Sequence, residues 1–428
     1  MTQLGRQQTL VVALLFAGYA SYYFCRSDLS VSMPMIATEL QRGGMTSDAA
    51  MIRLGAIVSF GVMAYALGKL FLGGLGDLWG GRTNFLGGLS GAILFTLLFT
   101  LGGGLPIFTL AWIGNRLVQS MGWAGLVKVC SQWFSYKSYG TVVGILSLSF
   151  LVGDAVARGW MGWLIAQGYG WRPLFYLAAV VAGVVLAANL MLLKESRVAR
   201  GFSPPEVNPL NVFEQQAARQ GWMRTILVPL LSNKGFLIVC FLSLCTTIVR
   251  ETFNTWTPTY LVRFFGYSEG AAASMSSVFP ALGAVSVLVA GFAGDRLGAS
   301  GRPIVLFIGM VITAIGLCLL TALHTGTRGP LPIVLIGLVG FGLLGPYSYL
   351  AGAMALDFGG KQGGATSSGL IDGVGYLGGI LAGDSVARWA VRFGWGGVFA
   401  IMAAVSAAAA FTSGLLFVQQ RRRASYGK

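Results

Sequence analysis

Apolar residues along this chain come in long blocks, not in the alternation of strands or the narrow stripes of surface helices. Blocks of roughly 20 residues or more can cross a bilayer core as helices. Such blocks fall at about 9–36, 53–76, 84–103, 107–133, 140–167 and 172–193. Six more follow at about 232–264, 271–295, 302–323, 330–356, 363–391 and 395–419. The one long polar interval, 194–231, is basic and carries several prolines. The pattern predicts an all-α membrane protein of twelve transmembrane helices, six in a bundle over 1–193 and six in a bundle over 232–428, with 194–231 as a cytoplasmic linker.

Composition agrees with this pattern. Of 428 residues, 55% are apolar and 10% charged, against about 25% charged in soluble domains, and the mean hydropathy is +0.73. The 63 glycines suit close helix approach inside a bilayer. The net charge of +15 does not indicate nucleic-acid binding, because the basic residues sit in short segments between apolar blocks. With the N-terminus inside, the inner segments hold Arg6, Arg82, Lys137, much of the linker, Arg296, Arg302, Lys361 and "RRRASYGK", while the outer loops hold few basic residues. That bias puts both termini in the cytoplasm and the chain in an inner (plasma) membrane, as an expected monomer in contact with lipid. The start, "MTQLGRQQ", runs into the first block without a small-residue cleavage site, which reads as a first helix, not a signal peptide. Cys25, Cys130, Cys240, Cys245 and Cys318 lie in apolar stretches and read as buried free thiols; His324 falls in a loop. No metal-ligand spacing, nucleophile-and-base constellation or nucleotide-binding loop stands out, so neither an enzyme, a metal site nor a cofactor is expected.

The two halves repeat. "GGLGDLWGGR" follows the second block and "GFAGDRLGASGR" the eighth, so Gly73, Asp77 and Gly80 have the spacing of Gly291, Asp295 and Gly298. This loop, carried twice at equivalent places, resembles the signature of the major facilitator superfamily. That resemblance implies two pseudo-symmetric six-helix bundles with a substrate site at the midplane. It also implies that Gly73, Asp77, Arg82, Gly291 and Asp295 pin helix ends at the cytoplasmic gate.

Charges inside the apolar blocks are costly, about 2.5–3.5 kcal/mol each on insertion scales, and call for a role. Arg26 lies inside the first block and Arg250 inside the seventh, equivalent positions in the two halves. Their nearest carboxylates, Asp28 and Glu251, are two and one residues away, and such neighbours do not face each other on a helix. Two guanidinium forks, each matched to a phosphate or carboxylate, then read as a site for a doubly charged oxyanion.

"GYASYYFCRSDLSVSMPMI", "QSMGWAGLVKVCSQWF", "VRETFNTWTPTYL" and "GLIDGVGYLGG" are similar, in that order, to the first, fourth, seventh and eleventh helices of the organophosphate:phosphate antiporter family. The resemblance implies that Arg26 and Arg250 clamp a phosphoryl group, and that Tyr19, Tyr23, Lys69 and Tyr376 line or close the cavity. It departs at Phe150, where the family often has histidine, at Ala124 and Gly125, where two prolines are expected, and at Ser27 and Asp28 after Arg26. Arg116 stands where phosphate exchangers often have a small residue, and "RLVQSMG" instead matches a motif of proton-coupled members.

"GDAVAR" in the fifth block and "GDSVAR" in the eleventh set Asp154 with Arg158 and Asp384 with Arg388 at i, i+4. That spacing shares a helix face in the favourable order, and intrahelical pairs are the preferred reading over a matched pair of gates. Asp372 is a candidate contact for a cationic or hydroxyl part of the substrate. The expected function is exchange of a small organic phosphate ester for inorganic phosphate by alternating access. One alternative is proton-coupled symport of a sugar acid, with Asp28, Arg116 and Asp154 on the proton path. The other is a transporter-like sensor of hexose phosphate.

Overall fold

A computed structural model describes residues 2–72, 79–206, 228–297, 301–325 and 329–426. The described chain is all helical. Its main elements are α1 (Gln3–Arg42), α2 (Ser47–Phe71), α3 (Gly81–Leu101), α4 (Leu105–Trp133), α5 (Tyr136–Ser147), α6 (Ser149–Ala166) and α7 (Trp171–Leu192). The second half supplies α8 (Lys234–Phe265), α9 (Glu269–Ser276), α10 (Val278–Leu297), α11 (Arg302–Thr321), α12 (Leu331–Tyr349), α13 (Ala355–Leu381) and α14 (Asp384–Tyr426).

Among the described residues, 10 helices are long and apolar enough to cross a membrane. The predicted fourth and eleventh spans form α4 and α13 but are not among them. Asn115, Arg116, Gln119 and Lys128 in α4, and Asp357, Lys361 and Asp372 in α13, lower their hydropathy. The expected fifth and eighth spans are found as Thr141–Ala166 and Glu269–Ala293, each marked only by a turn, at Leu148 and at Ser277, whose φ/ψ stay helical. Two other predicted spans are differently divided. The tenth runs through a π-helical turn, Leu350–Met354, directly into α13. The chain doubles back between Ala351 and Ser368, because Ser368 Oγ donates to Ala351 O at 2.5 Å, whereas 17 residues of straight helix would span about 25 Å. The eleventh ends at Leu381, ten residues before its expected limit, and helix resumes at Asp384. Gly394, at φ 69°, ψ 175°, breaks α14 in a conformation a residue with a Cβ rarely adopts.

The chain forms two compact units: Met1–Pro209 with Tyr267–Ser277, and Leu210–Gly266 with Val278–Lys428. Residues 267–277, which the sequence pattern assigns to the second half, pack in the first unit. There α1 packs on α6 and α7, α4 on α2 and α3, and α9 on α6. In the second unit α8 packs on α13 and α14, α10 on α12, and α11 on α14.

The burial pattern singles out two stretches. The first part of α1 buries Val11, Leu15, Gly18, Tyr22 and Cys25, the 3–4 spacing of a helix with one buried stripe. From Ser27 to Pro34 every residue is buried. In α8 the same holds from Cys245 to Phe253. Asp28 and Arg250 therefore lie within stretches buried all round, and Arg26 at the edge of such a stretch. Of the cysteines, all free, four are buried as expected and Cys318 is exposed. A thiol behaves as a small hydrophobe, so an apolar helix tolerates it on its outer face.

Candidate functional site

In the first unit the charges gather on three helices: Arg26 on α1, Lys69 on α2 and Arg116 on α4. Their common neighbour is Tyr65 of α2. The Arg116, Arg26 and Lys69 head groups lie 4.8, 4.9 and 5.4 Å from its ring centroid. Arg26 also lies 5.1 Å from the ring of Tyr23, and Arg116 5.9 Å from that of Trp112. Tyr65 and Lys69 are four residues apart and share a helix face. The negative face of an aromatic ring holds cations, by about 2 kcal/mol when desolvated, but leaves their mutual repulsion intact. Three heads around one ring lie within about 10 Å of each other, and each pair repels by about 2 kcal/mol at an effective dielectric of 20. Such a cluster gains from an anion. Arg26 and Lys69 are partly exposed, while Tyr65 and Arg116 are buried. An anion therefore has access to the first two, and Arg116 adds its field from the buried layer.

The other predicted residues of this unit surround the cluster. Tyr19 packs on Tyr23 and Trp123, with ring centroids at 6.0 and 5.4 Å, and Tyr23 packs on Phe150 at 5.9 Å. Phe150, at the position of the family's histidine, thus closes an aromatic wall. Asp28 is 0% exposed; its Oδ1 accepts the Leu29 N–H at 2.7 Å, and its Oδ2 has no hydrogen-bond partner among the described residues. Asp154 and Arg158 form the expected intrahelical pair, Nε to Oδ1 at 2.7 Å, deep in the unit.

In the second unit the structure corrects one expectation. Arg250 does pair with its neighbour Glu251, Nη2 to Oε1 at 2.7 Å, and both are buried. The rule that adjacent helix residues diverge describes Cβ directions; a side chain as long as arginine swings round to reach the next residue. Arg250 also lies 4.5 Å from the ring centroid of Tyr347 on α12, a residue the sequence pattern did not single out. Trp256 Nε1 donates to Ala382 O at 2.7 Å, and Tyr260 packs among Phe399, Trp395 and Phe265. The W-x-P-T-Y stretch therefore ties α8 to the end of α13 and the start of α14. Tyr376 is buried and Asp372 partly buried on α13, the helix that packs on α8. Asp384 and Arg388 pair at 2.7 Å, with the Arg388 side chain 61% exposed.

Of the predicted gate residues, Gly73 and Asp77 lie outside the described residues, as does the side chain of Asp295; Gly291 is exposed on α10. Arg82 has a clear role. Its Nε and Nη2 donate to Leu193 O and Leu190 O, each at 2.7 Å, at the C-terminal end of α7. In return Glu195 accepts the Gly81 and Arg82 N–H groups at 2.7 Å each, at the N-terminus of α3. Cation at a C-terminus and anion at an N-terminus both match the helix dipole. The sequence reading missed Glu195, and a carboxylate just past a predicted helix end was the available signal.

Apolar helices of membrane-spanning length, packed into two units, are the architecture of a membrane transport protein. The chain belongs to the Major Facilitator Superfamily, whose family pattern matches residues 15–383. It is 26% identical over 411 residues to a probable hexose phosphate transport protein of Chlamydia trachomatis, covering 91% of this chain and 86% of that protein. It is 24% identical to the glycerol-3-phosphate transporter of Bacillus subtilis, covering 91% and 87% of the two chains. Among solved structures it resembles an inward-facing bacterial homologue of the human lysosomal transporter Spinster, with a TM-score of 0.73 at 14% identity over 98% of each chain. That last likeness shows the fold.

Proposed function

We propose that this protein carries a small organic phosphate ester across an inner membrane, exchanging it for inorganic phosphate by alternating access. The observation that carries the reading is the cluster of Arg26, Lys69 and Arg116 around Tyr65. Arg26 takes the phosphoryl group as a bidentate fork, Lys69 adds a point charge, and Tyr19, Tyr23 and Tyr376 shape the cavity. Arg250 is the corresponding arginine of the second unit. The phosphate-ester substrates named for the chlamydial and Bacillus relatives support the choice of oxyanion. Both termini are cytoplasmic in this reading, and the monomer is the transporting unit. Exchange of one anion for another needs no ion-coupling group.

A second reading rests on Asp28, fully buried with one oxygen lacking a hydrogen bond. A carboxylate so placed favours its neutral form, which suits a proton-coupled carrier of a sugar acid.

The test is uptake of labelled phosphate into proteoliposomes loaded with unlabelled phosphate, with and without a proton gradient. Gradient-independent exchange, competed by glycerol-3-phosphate or a hexose phosphate, supports the antiporter. Absent exchange with gradient-driven uptake of a sugar acid transfers the assignment to the second reading. Binding of hexose phosphate without any transport leaves a sensor.

A further inference from the structure

The strongest buried polar network lies beside Arg26, and phosphate exchange as proposed above makes no direct use of it. Ser27 Oγ donates to Asp154 Oδ1, and the same oxygen accepts Arg158 Nε at 2.7 Å. Arg158 Nη1 reaches Ser276 Oγ at 3.3 Å and Ser30 Oγ at 3.5 Å. Ser27, Asp154, Arg158, Ser30 and Ser276 are all buried. The network thus joins α1, α6 and α9.

Backbone packing makes the joint stiff. A Cβ on Gly153 would lie 2.6 Å from the Cα of Ala20, so α6 rests directly on α1. A Cβ on Gly162 would lie 2.5 Å from Ser274 N and 2.7 Å from Gly270 O, so α6 rests equally closely on α9. Between these two contacts sits the Asp154–Arg158 pair.

Ser27 follows Arg26 directly, about 100° further round the helix. Pinning Ser27 to α6 therefore sets the rotation of α1 at the turn that aims Arg26 at Tyr23 and Tyr65. From another side, Gln119 of α4 donates to Cys25 O at 2.8 Å, one residue before Arg26. The turn is thus held on both flanks. A buried ion pair is a costly way to stabilise a fold, since apolar replacements are often as good; setting the direction of a binding group is a reason to keep one.

We propose that Asp154 is a positioning residue for transport: held by Arg158, it fixes Ser27 and so aims the Arg26 guanidinium at the substrate anion. This rests on Arg26 being a substrate ligand, as proposed above. The decisive variant is Ser27→Ala, which removes the link and leaves the ion pair whole. In proteoliposomes it should raise the half-saturating concentration of labelled phosphate about tenfold, the effect of weakening one charge-assisted hydrogen bond. The maximal exchange rate should stay near wild type, and the unfolding temperature should fall by only the few degrees that one lost hydrogen bond costs. Ser27→Thr, which keeps the hydroxyl, should restore most of the affinity. Asp154→Asn should also weaken affinity, and it should lower the unfolding temperature because Arg158 loses its counter-charge. An unchanged half-saturation in Ser27→Ala, or a loss confined to rate or stability, overturns the proposal. Wild-type protein that exchanges neither phosphate nor any phosphate ester overturns instead the transport reading beneath it.

Discussion

The Tyr65 ring offers the sharpest test of the cationic cluster, because one side chain touches three charges. Tyr65→Leu keeps a comparable apolar bulk and removes the ring face; Tyr65→Phe keeps the face and removes only the hydroxyl. At 4.8, 4.9 and 5.4 Å the three heads are within cation–π range. Each contact is worth about 0.5–2 kcal/mol depending on desolvation. Arg26 and Lys69 are the two partly exposed heads, and losing the ring that holds them ready for an anion costs about 2 kcal/mol of pre-organisation, or roughly 30-fold in affinity. The three contacts share a ring, so their values are not additive, and the expected range runs from about tenfold to 100-fold. The assay is titration of purified protein with inorganic phosphate, read by its thermal stabilisation, which grows with the ratio of ligand to dissociation constant. Leucine should shift the titration to higher phosphate by that factor, and phenylalanine by less than about threefold. If both variants titrate like wild type, Tyr65 only fills space and the cluster is not the anion site. If both are equally impaired, the hydroxyl, not the ring face, is what matters, and the cation–π argument fails.

Three further substitutions separate roles that the fold places side by side. Glu251→Gln leaves Arg250 buried without its carboxylate, so the unfolding temperature should fall in phosphate-free buffer and recover with phosphate; no recovery would mean that Arg250 meets no anion. Arg82→Ala removes two hydrogen bonds to the end of α7 and should cost about 1–2 kcal/mol of stability, measured by chemical denaturation, with the half-saturating phosphate concentration unchanged. Arg388→Gln breaks a largely exposed pair and should leave exchange kinetics untouched; a clear loss of rate there would restore the gate reading of "GDSVAR".

The helices were legible in the sequence because apolar blocks of spanning length have no other use, and Arg26 and Arg250 were legible because a charge inside such a block stands out. The aromatic partners were not. Tyr65 and Tyr347 sit among leucines, glycines and alanines and read as ordinary packing, although Tyr65 lies one helical turn before Lys69 and so shares its face. The turns at Leu148 and Ser277 fall inside continuous apolar runs, where hydropathy marks no interruption. Ser27, Ser30 and Ser276 look like incidental small residues; only three-dimensional packing brings them to Asp154 and Arg158. The Arg250–Glu251 pair was misread for a related reason. Helical-face arguments place Cβ atoms, while a long side chain places its charge several ångströms away.

The two arginines, equivalent in sequence, are held in opposite ways, and this bears on how an anion is bound. The first unit sets Arg26, Lys69 and Arg116 around one ring. The second sets Arg250 against Glu251. An oxyanion at the first unit's cluster meets three cationic heads held around one ring. At Arg250 it must compete with a carboxylate already 2.7 Å away, so the net gain is the difference between two charge-assisted interactions. Such a difference is small until something moves Glu251 or excludes water. With Arg26 and Arg250 as the substrate ligands proposed above, most of the affinity is expected from the first unit. Arg250 instead suits a group whose engagement depends on conformation, the kind of differential interaction that a ligand needs in order to shift a population between states.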